Sequence, residues 1–213
     1  MKVLVAGAHG ATGKHLIHKL SKKGYQPIAM IRDSKQAEEL ESYGAKTVVA
    51  DLEGDLSQAV EGADAVIFAA GSGSKTGPEK TIAVDQEGAK SLIDAAKQHK
   101  VQHFVMLSSM GADQPDAGSE AMKNYLRAKA IADEYLIQSE LSYTIVRPGT
   151  LSDEPGTGKI TAEDSIQKRD RKIPREDVAE VLIQSLELEK TKNKTFEVLS
   201  GDKDVKEALQ SLY

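Results

Sequence analysis

Gly7-Ala8-His9-Gly10-Ala11-Thr12-Gly13 is the stretch of sequence that decides the fold. An apolar run over residues 2–6 precedes it and predicts a buried strand. Leu16, Ile17 and Leu20 follow it at helical spacing. The order of strand, glycine turn and helix is typical of the first unit of a dinucleotide-binding domain.

The three glycines of this turn have separate predicted roles. Gly7 allows a sharp turn, and Gly10 allows backbone N–H groups to approach a pyrophosphate. Gly13 is in phase with Ile17 and Leu20, so its missing side chain lets the helix pack closely on the sheet. The phosphates would then lie at the positive end of the helix. We therefore expect cofactor contacts from Gly7, His9, Gly10, Ala11, Thr12 and Gly13.

Composition excludes several classes of function. The chain has 213 residues, of which 39% are apolar, enough for one sizeable core. Its net charge of -5 argues against a nucleic-acid surface, and no apolar stretch is long enough to span a membrane. We expect a cytoplasmic protein. The absence of cysteine rules out thiolate chemistry, and the histidines form no ligand-like cluster, so no metal site is expected.

Strand-like and helix-like segments alternate along the chain. The strand-like runs are continuously apolar, as expected of parallel strands covered on both faces. Strands are predicted at 27–31, 45–50, 63–69, 104–107 and 143–146, and helices at 35–43, 55–61, 79–99 and 119–139. We expect a single α/β domain with a doubly wound parallel sheet, the Rossmann fold. Residues 1–149 would form the dinucleotide-binding core and residues 150–213 a small substrate annex.

Residues just after the second strand bear on which cofactor binds, because ligands on such sheets gather at the carboxyl ends of the strands. Arg32 there suits the 2′-phosphate of NADP, whereas Asp33 suits the ribose hydroxyls of NAD. We favour Arg32, supported by Lys35, and therefore NADP over NAD. A solvated Arg32 and a helix cap at Asp33 or Ser34 are the alternatives.

The other strand ends also carry candidate cofactor contacts. An acidic residue and a leucine after the third strand suit an adenine ring, although the acidic residue could instead start a helix. Small residues after the fourth strand let the backbone approach a ligand, and residues 72–78 have the composition of a flap. The expected contacts are Asp51, Leu52, Ala69, Ala70, Gly71, Leu107, Ser108 and Pro148.

Two charged residues lie on helix faces that are predicted to be buried. Asp85 is in register with Ala89 and Leu92, so it either has an unseen partner or stays wet near the helix start. Lys129 lies one turn after Tyr125 on the sheet-facing stripe of its helix. Its ammonium either extends outward to water or contacts a ligand hydroxyl and the tyrosine ring.

Together these motifs resemble the short-chain dehydrogenase/reductase family, and more narrowly its atypical NADP-binding members. The resemblance spans nearly the whole chain. It is carried by the glycine turn, by Ser109 after the fifth strand, by Tyr125-Leu126-Arg127-Ala128-Lys129, by Arg147-Pro148-Gly149 and by residues 173–179.

The resemblance implies roles for particular residues. Tyr125 would be the general acid/base, Ser109 would bind the substrate carbonyl or hydroxyl, and Lys129 would hold the nicotinamide ribose and favour the ionised tyrosine. Asp85 stands where the family usually has an asparagine, so the usual water relay is in doubt.

The implied function is NADP-dependent oxidation or reduction of a small carbonyl/alcohol pair by a monomer or homodimer. Reduction, epimerisation and dehydration all stay open at this point. The alternative is a non-catalytic NADP-sensing regulator, because the glycine turn also resembles that of nitrogen-repression regulators. A basic segment could meet an anionic substrate or be solvated; it contains Lys168, Arg169, Arg171, Lys172 and Arg175.

Overall fold

The computed structural model describes residues 1–73 and 76–212. The strands and helices, in chain order, are β1 (Lys2–Ala6), α1 (Ala11–Lys22), β2 (Gln26–Ile31), α2 (Ala37–Ser42), β3 (Lys46–Val49), α3 (Ser57–Val60), β4 (Ala65–Phe68), α4 (Pro78–Thr81), a π-helix (Ile82–Gly88), α5 (Ala89–Gln98), β5 (His103–Leu107), α6 (Glu120–Gln138), β6 (Tyr143–Pro148), β7 (Leu151–Ser152), β8 (Lys159–Glu163), β9 (Ile173–Pro174), α7 (Arg175–Gln184), β10 (Lys194–Ser200), β11 (Lys203–Asp204) and α8 (Val205–Gln210). No helix within these ranges has the length and apolar character needed to cross a membrane.

The main sheet has nine strands in the order β11-β8-β10-β6-β5-β4-β1-β2-β3. Strands β10 to β3 in this order are parallel, with Leu4 of β1 opposite Ile28 of β2 and Val66 of β4. The predicted doubly wound α/β fold is confirmed. Beyond residue 149 the chain extends the same sheet: β10 pairs with β6, and β8 and β11 continue the edge in antiparallel pairing.

Both faces of the sheet are covered, which explains why the strands are continuously apolar. Val3 and Val5 pack on the face covered by α1 and α7, whereas Leu4 and Ala6 pack on the face covered by α5 and α6. The most extensive helix pairing on the first face is α1 against α7. The late segment of the chain therefore buries the helix that follows the glycine turn.

The glycine turn is held by backbone contacts that leave no room for side chains. Gly7 has φ +83°, and a Cβ added there would lie 2.6 Å from the backbone nitrogen of Ala70. A Cβ added to Gly13 would lie 2.1 Å from the carbonyl oxygen of Gly7 and 2.6 Å from that of Ala8. Gly13 therefore brings α1 against the turn itself, whereas the sequence predicted contact with the sheet.

Replacing Gly13 with alanine tests this packing. Alanine is the better helix former by about 1 kcal/mol, but its methyl group would overlap backbone that cannot move aside, at a cost of about 1–3 kcal/mol. We expect Gly13→Ala to lower the free energy of unfolding in urea. Gly54→Ala is the control, because its Cβ would meet Asp51 at an ordinary 3.5 Å. A Gly13→Ala protein as stable as the parent would contradict the contact.

Candidate active site

The ammonium group of Lys129 is buried at the carboxyl edge of the sheet. Lys129, on α6, is 3% exposed, and its Nζ donates a hydrogen bond of 3.2 Å to the carbonyl oxygen of Leu107 at the end of β5. Nζ also lies 3.2 Å from Oδ1 of Asp85 and within 6 Å of the ring centres of Phe68 (5.6 Å) and Tyr125 (5.7 Å). Of the two predicted arrangements, Lys129 takes the inward one.

The charge of Lys129 is maintained by its neighbours. Burial by itself lowers the pKa of Lys129, because it disfavours the charged form. The negative charge of a Tyr125 phenolate and of Asp85 acts in the opposite direction and prevails, so the pKa of Lys129 is raised above its ordinary value. The side chain is therefore an ammonium ion at neutral pH.

Asp85 has the partner that the sequence could not identify. It lies in the π-helix (Ile82–Gly88) and is 0% exposed. One carboxylate oxygen, Oδ2, accepts a hydrogen bond of 2.9 Å from the backbone N–H of Ser72, and the other faces Lys129. A carboxylate at this position can thus form an ion pair with the ammonium, whereas the uncharged amide of an asparagine could not.

Tyr125 and Ser109 are both half-buried. Within residues 1–73 and 76–212, the Tyr125 hydroxyl forms no hydrogen bond, and the Ser109 hydroxyl donates only a 3.3 Å bond to the carbonyl oxygen of Met110. Both groups lie at the edge of the sheet where the sequence predicted a ligand, and both can still bind one. The roles of these residues stay predictions.

Ser108 points elsewhere, into a buried cluster with Asp133 and Arg147. Its hydroxyl donates to Oδ2 of Asp133 at 2.8 Å, and that same oxygen accepts bonds from Nε (3.0 Å) and Nη2 (2.9 Å) of Arg147. Burial raises the pKa of Asp133 more than Arg147 and Ser108 lower it. Any cofactor contact of Ser108 therefore uses its backbone. Asp133 was not predicted, although it lies four residues after Lys129 on the same buried stripe.

Residues 7–13 form a cradle that fits a dinucleotide phosphate. The first N–H groups of α1 have no acceptor within the helix, Gly10 caps the helix without a side chain, and no acidic residue occupies the first turn. An anion would therefore meet unpaired donors at the positive end of α1. Ala69 and Ala70 run directly beside the cradle, since the Ala69 N–H bonds to Ala6 and Ala70 touches Gly7.

The remaining residues of the turn differ in exposure. Ala11 is exposed and Thr12 is 7% exposed. The side chain of His9 points to α2, with Nε2 3.1 Å from Oε2 of Glu39. The other carboxylate oxygen of Glu39 pairs with Lys14 at 2.8 Å. His9 thus borders the cradle on its α2 side.

Of the alternatives that the sequence left open after β2, the structure shows the helix cap at Asp33 and leaves Arg32 exposed. Asp33 accepts a 2.9 Å bond from the backbone N–H of Lys35, as a helix cap does. Arg32 is exposed and has no carboxylate partner in the described part of the chain. Its guanidinium is therefore available at the end of β2, the strand next to β1 and the glycine turn.

The acidic residues after β3 form hydrogen bonds with the local backbone. Asp51 accepts a bond of 3.0 Å from the N–H of Glu53 within a turn, and Asp55 accepts one of 2.9 Å from the N–H of Ser57, the first residue of α3. Leu52 is 7% exposed and packs against Gly88. The predicted flap includes Ser74 and Lys75, which lie outside the described residues.

A cleft of about 270 Å³ is lined by Met110 and Leu126, which are the chain neighbours of Ser109 and Tyr125. Met110 forms part of its wall directly after Ser109, and Met122 and Leu126 flank Tyr125 along α6. Its floor is the carboxyl edge of the sheet, because the N–H of Met110 bonds to the carbonyl of Pro148 at 2.9 Å. Arg169, from the basic segment, completes the lining.

A double-mutant cycle tests the Asp85–Lys129 pair. Asp85→Asn keeps an acceptor for Ser72 but leaves a buried ammonium without its counter-charge, whereas Lys129→Met removes that charge. We expect Asp85→Asn to destabilise the parent by roughly 3 kcal/mol, and the two changes together to show a coupling of about 2 kcal/mol in urea unfolding.

The exposed pair Lys97–Glu140, 2.9 Å apart, is the control for this cycle, and its coupling should stay below about 1 kcal/mol. Effects of Asp85→Asn and Lys129→Met that simply add would mean that the buried pair contributes no specific interaction.

Comparison with known proteins identifies the family. Residues 7–189 match the model of a family described as NAD(P)H-binding. An uncharacterized sugar epimerase of Bacillus subtilis, YhfK, is 41% identical over 216 residues, covering 100% of both chains. A solved structure from Bacillus halodurans, described provisionally as an NAD-dependent epimerase/dehydratase, is 45% identical, covers 100% of both chains and has a TM-score of 0.97.

A reductase is also among the relatives. Sanguinarine reductase of Eschscholzia californica is 29% identical over 252 residues, covering 98% of this chain and 92% of that protein. The predicted likeness to NADP-binding dehydrogenases/reductases is confirmed at the level of an NAD(P)-binding Rossmann domain with epimerase and reductase relatives. The chain belongs to the NAD(P)H-binding family.

Proposed function

We propose that the protein is an NADP-dependent oxidoreductase that acts on a small carbonyl/alcohol pair. The observation that carries the proposal is the buried ammonium of Lys129, held by Asp85 and Leu107 beside the ring of Tyr125. A buried charge is costly, and placing it next to a tyrosine whose hydroxyl is unpaired within the described residues has a clear chemical use.

The side chains divide the chemistry between them. Tyr125 donates a proton to the substrate oxygen in reduction and accepts it in oxidation. The Lys129 ammonium stabilises the phenolate that Tyr125 becomes after donating that proton, by charge attraction in a site of low dielectric. Ser109 donates a hydrogen bond that orients the same substrate oxygen. Asp85 keeps the ammonium in place and charged.

The cofactor would lie along the carboxyl edge of the sheet. Its pyrophosphate fits the cradle of residues 7–13, its ribose phosphate the free guanidinium of Arg32, and its nicotinamide ribose the ammonium of Lys129. When bound, the nicotinamide supplies the hydride. The remaining contacts proposed from the sequence are His9, Asp51, Leu52, Ala69, Ala70, Gly71, Leu107, Ser108 and Pro148.

The relatives support an oxidoreductase in general terms and differ in the outcome they suggest. One carries the name of a sugar epimerase and another that of a reductase. Reduction, epimerisation and dehydration can all begin with the same hydride transfer, and that transfer is the step we propose. A purely NADP-sensing protein would not need Lys129 buried against Tyr125, and this favours the enzyme.

Replacing Tyr125 tests its acid/base role. Tyr125→Phe keeps the ring beside Lys129 and removes only the hydroxyl. We expect kcat to fall by about 10²–10⁴-fold on any small aldehyde, ketone or quinone that the parent reduces with NADPH. NADPH affinity, measured by calorimetry, should change by less than about threefold, because the phenol makes no phosphate contact.

Tyr143→Phe is the matched control, since Tyr143 is also half-buried but lies at the opposite, amino end of β6. Its kcat should equal that of the parent. Undiminished turnover by Tyr125→Phe would remove Tyr125 from the reaction, and NADPH binding without turnover of any compound by the parent would favour the sensor.

Replacing Arg32 tests the choice of cofactor. The parent should bind NADPH more tightly than NADH, because the guanidinium forms charge-assisted bonds with the 2′-phosphate worth about 1.5–3 kcal/mol. Arg32→Ala should therefore weaken NADPH binding by about 10–100-fold and leave NADH binding nearly unchanged. Arg171→Ala removes the same charge far from β2 and should change neither affinity. Equal affinities of the parent for both nucleotides would refute the assignment of Arg32.

A further inference from the structure

The cleft next to the proposed catalytic residues has both apolar and basic side chains in its lining. Met110, Met122 and Leu126 are its large apolar side chains, and Arg169 is the basic residue of the lining. The cleft carries one acidic residue, Asp113, which lies 4.0 Å from Nη1 of Arg147 and so has a cation of its own. Arg147 is in turn bound to buried Asp133.

Arg169 is fixed in position by two hydrogen bonds. Its Nε donates to the carbonyl oxygen of Ile166 at 3.1 Å, and its Nη2 donates to Oε1 of Glu197 at 3.0 Å. Glu197, on β10, is 2% exposed, and its other oxygen accepts the N–H of Ile166 at 2.7 Å. The guanidinium is therefore held at the end of the sheet before any ligand arrives.

These bonds leave part of the guanidinium without a partner. A guanidinium has five N–H donors in a planar fork, and the Nη1 donors of Arg169 meet no acceptor among the described residues. Its side chain is 44% exposed, so the free edge is accessible. A carboxylate is the ligand group that this planar edge fits best, because it can accept two parallel bonds.

The other basic residues of the segment point to surface carboxylates. Lys168 pairs with Asp170 at 3.1 Å, Arg171 with Asp202 at 3.9 Å and Arg175 with Asp153 at 2.7 Å. They do not line the cleft. The chain as a whole carries a net charge of -5, so its overall field repels anions. Any preference of the cleft for an anion has to come from Arg169 itself.

We propose that this cleft binds a carbonyl substrate that bears a carboxylate, which Arg169 holds while the apolar part of the substrate lies against Met110, Met122 and Leu126. This inference rests on the oxidoreductase function and names its substrate class. Glu197 is a positioning residue: it acts through Arg169 and does not touch the substrate. The sequence alone favoured solvation for the whole basic segment.

Binding of benzoate and benzamide to the full chain tests the proposal without requiring turnover. The two probes have nearly the same shape and differ in charge. Two of the five methionines, Met110 and Met122, line the cleft, whereas Met30 and Met106 are buried in the core. Methyl-labelled methionine therefore reports on the cleft in NMR titrations. From the shifts of the Met110 and Met122 signals, we expect the Kd of benzoate to be at least about tenfold lower than that of benzamide.

Substitution of Arg169 supplies the decisive comparison. Arg169→Gln should reduce benzoate affinity to that of benzamide, and Arg169→Lys should keep part of the preference. Arg171→Gln, on the same segment but outside the cleft, should keep all of it. Equal binding of the two probes by the parent, or an undiminished preference in Arg169→Gln, would overturn the proposal.

Two further measurements keep the test decisive. If Arg169→Gln disorders its segment, the salt dependence of binding to the parent protein provides the test. Benzoate binding should weaken as the salt concentration increases, whereas benzamide binding should not. Turnover of 4-formylbenzoate against 4-formylbenzamide with NADPH should show the same preference in kcat/KM. Selective benzoate binding without reduction of either aldehyde would support the anion site and contradict the oxidoreductase function. Reduction of both aldehydes at equal kcat/KM would support the oxidoreductase function and contradict the anion site.

Discussion

One buried positive charge determines how the site is arranged. Removing the Lys129 ammonium from water costs several kcal/mol, which its neighbours have to offset. They come from four different segments: Leu107 at the end of β5, the π-helix that carries Asp85, β4 with the ring of Phe68, and α6 itself with the ring of Tyr125. Asp85 also binds the backbone of Ser72, so the chain after β4 joins the same contact. A change to any one of these segments affects the others through Lys129.

A second buried cluster fixes α6 one turn further along. Asp133 binds both Ser108 after β5 and Arg147 near the end of β6. Arg147 is the register neighbour of Glu197 on β10, which holds Arg169. With Lys129 and Asp133 both anchored, the preceding turn of α6 presents Tyr125 at a fixed place above the sheet edge. Asp133 and Glu197, which order this region, thus also fix residues around the proposed substrate cleft.

Much of the fold could be predicted because it depends on local patterns. The glycine turn and the continuously apolar strands indicate a parallel sheet covered on both faces, and the sheet has that form. The register of Asp85 with Ala89 and Leu92 left a buried and a wet carboxylate open, and the structure has the buried one. The antiparallel pairing of β8 and β11 depends on contacts distant in sequence, and β11 is only the charged pair Lys203–Asp204, which has no local strand signal.

The site was predictable in its residues and less so in their partners. Sequence placed Tyr125 and Lys129 on one stripe, but only the folded chain brings Asp85 to Lys129 and turns Ser108 away from the ligand side. The π-helix around Asp85 could not be predicted, because it differs from an α-helix by a single wider turn. Arg169 stands out from its basic neighbours only through Glu197, which lies on a separate strand.

A crystal structure of the protein with NADP tests the central claim most directly. The account predicts the pyrophosphate at the N-terminus of α1, the 2′-phosphate against Arg32, and the nicotinamide ribose within hydrogen-bond distance of Nζ of Lys129, with the ring facing the Tyr125 hydroxyl. A nucleotide bound elsewhere, or a nicotinamide ring remote from Tyr125 and Lys129, would contradict it.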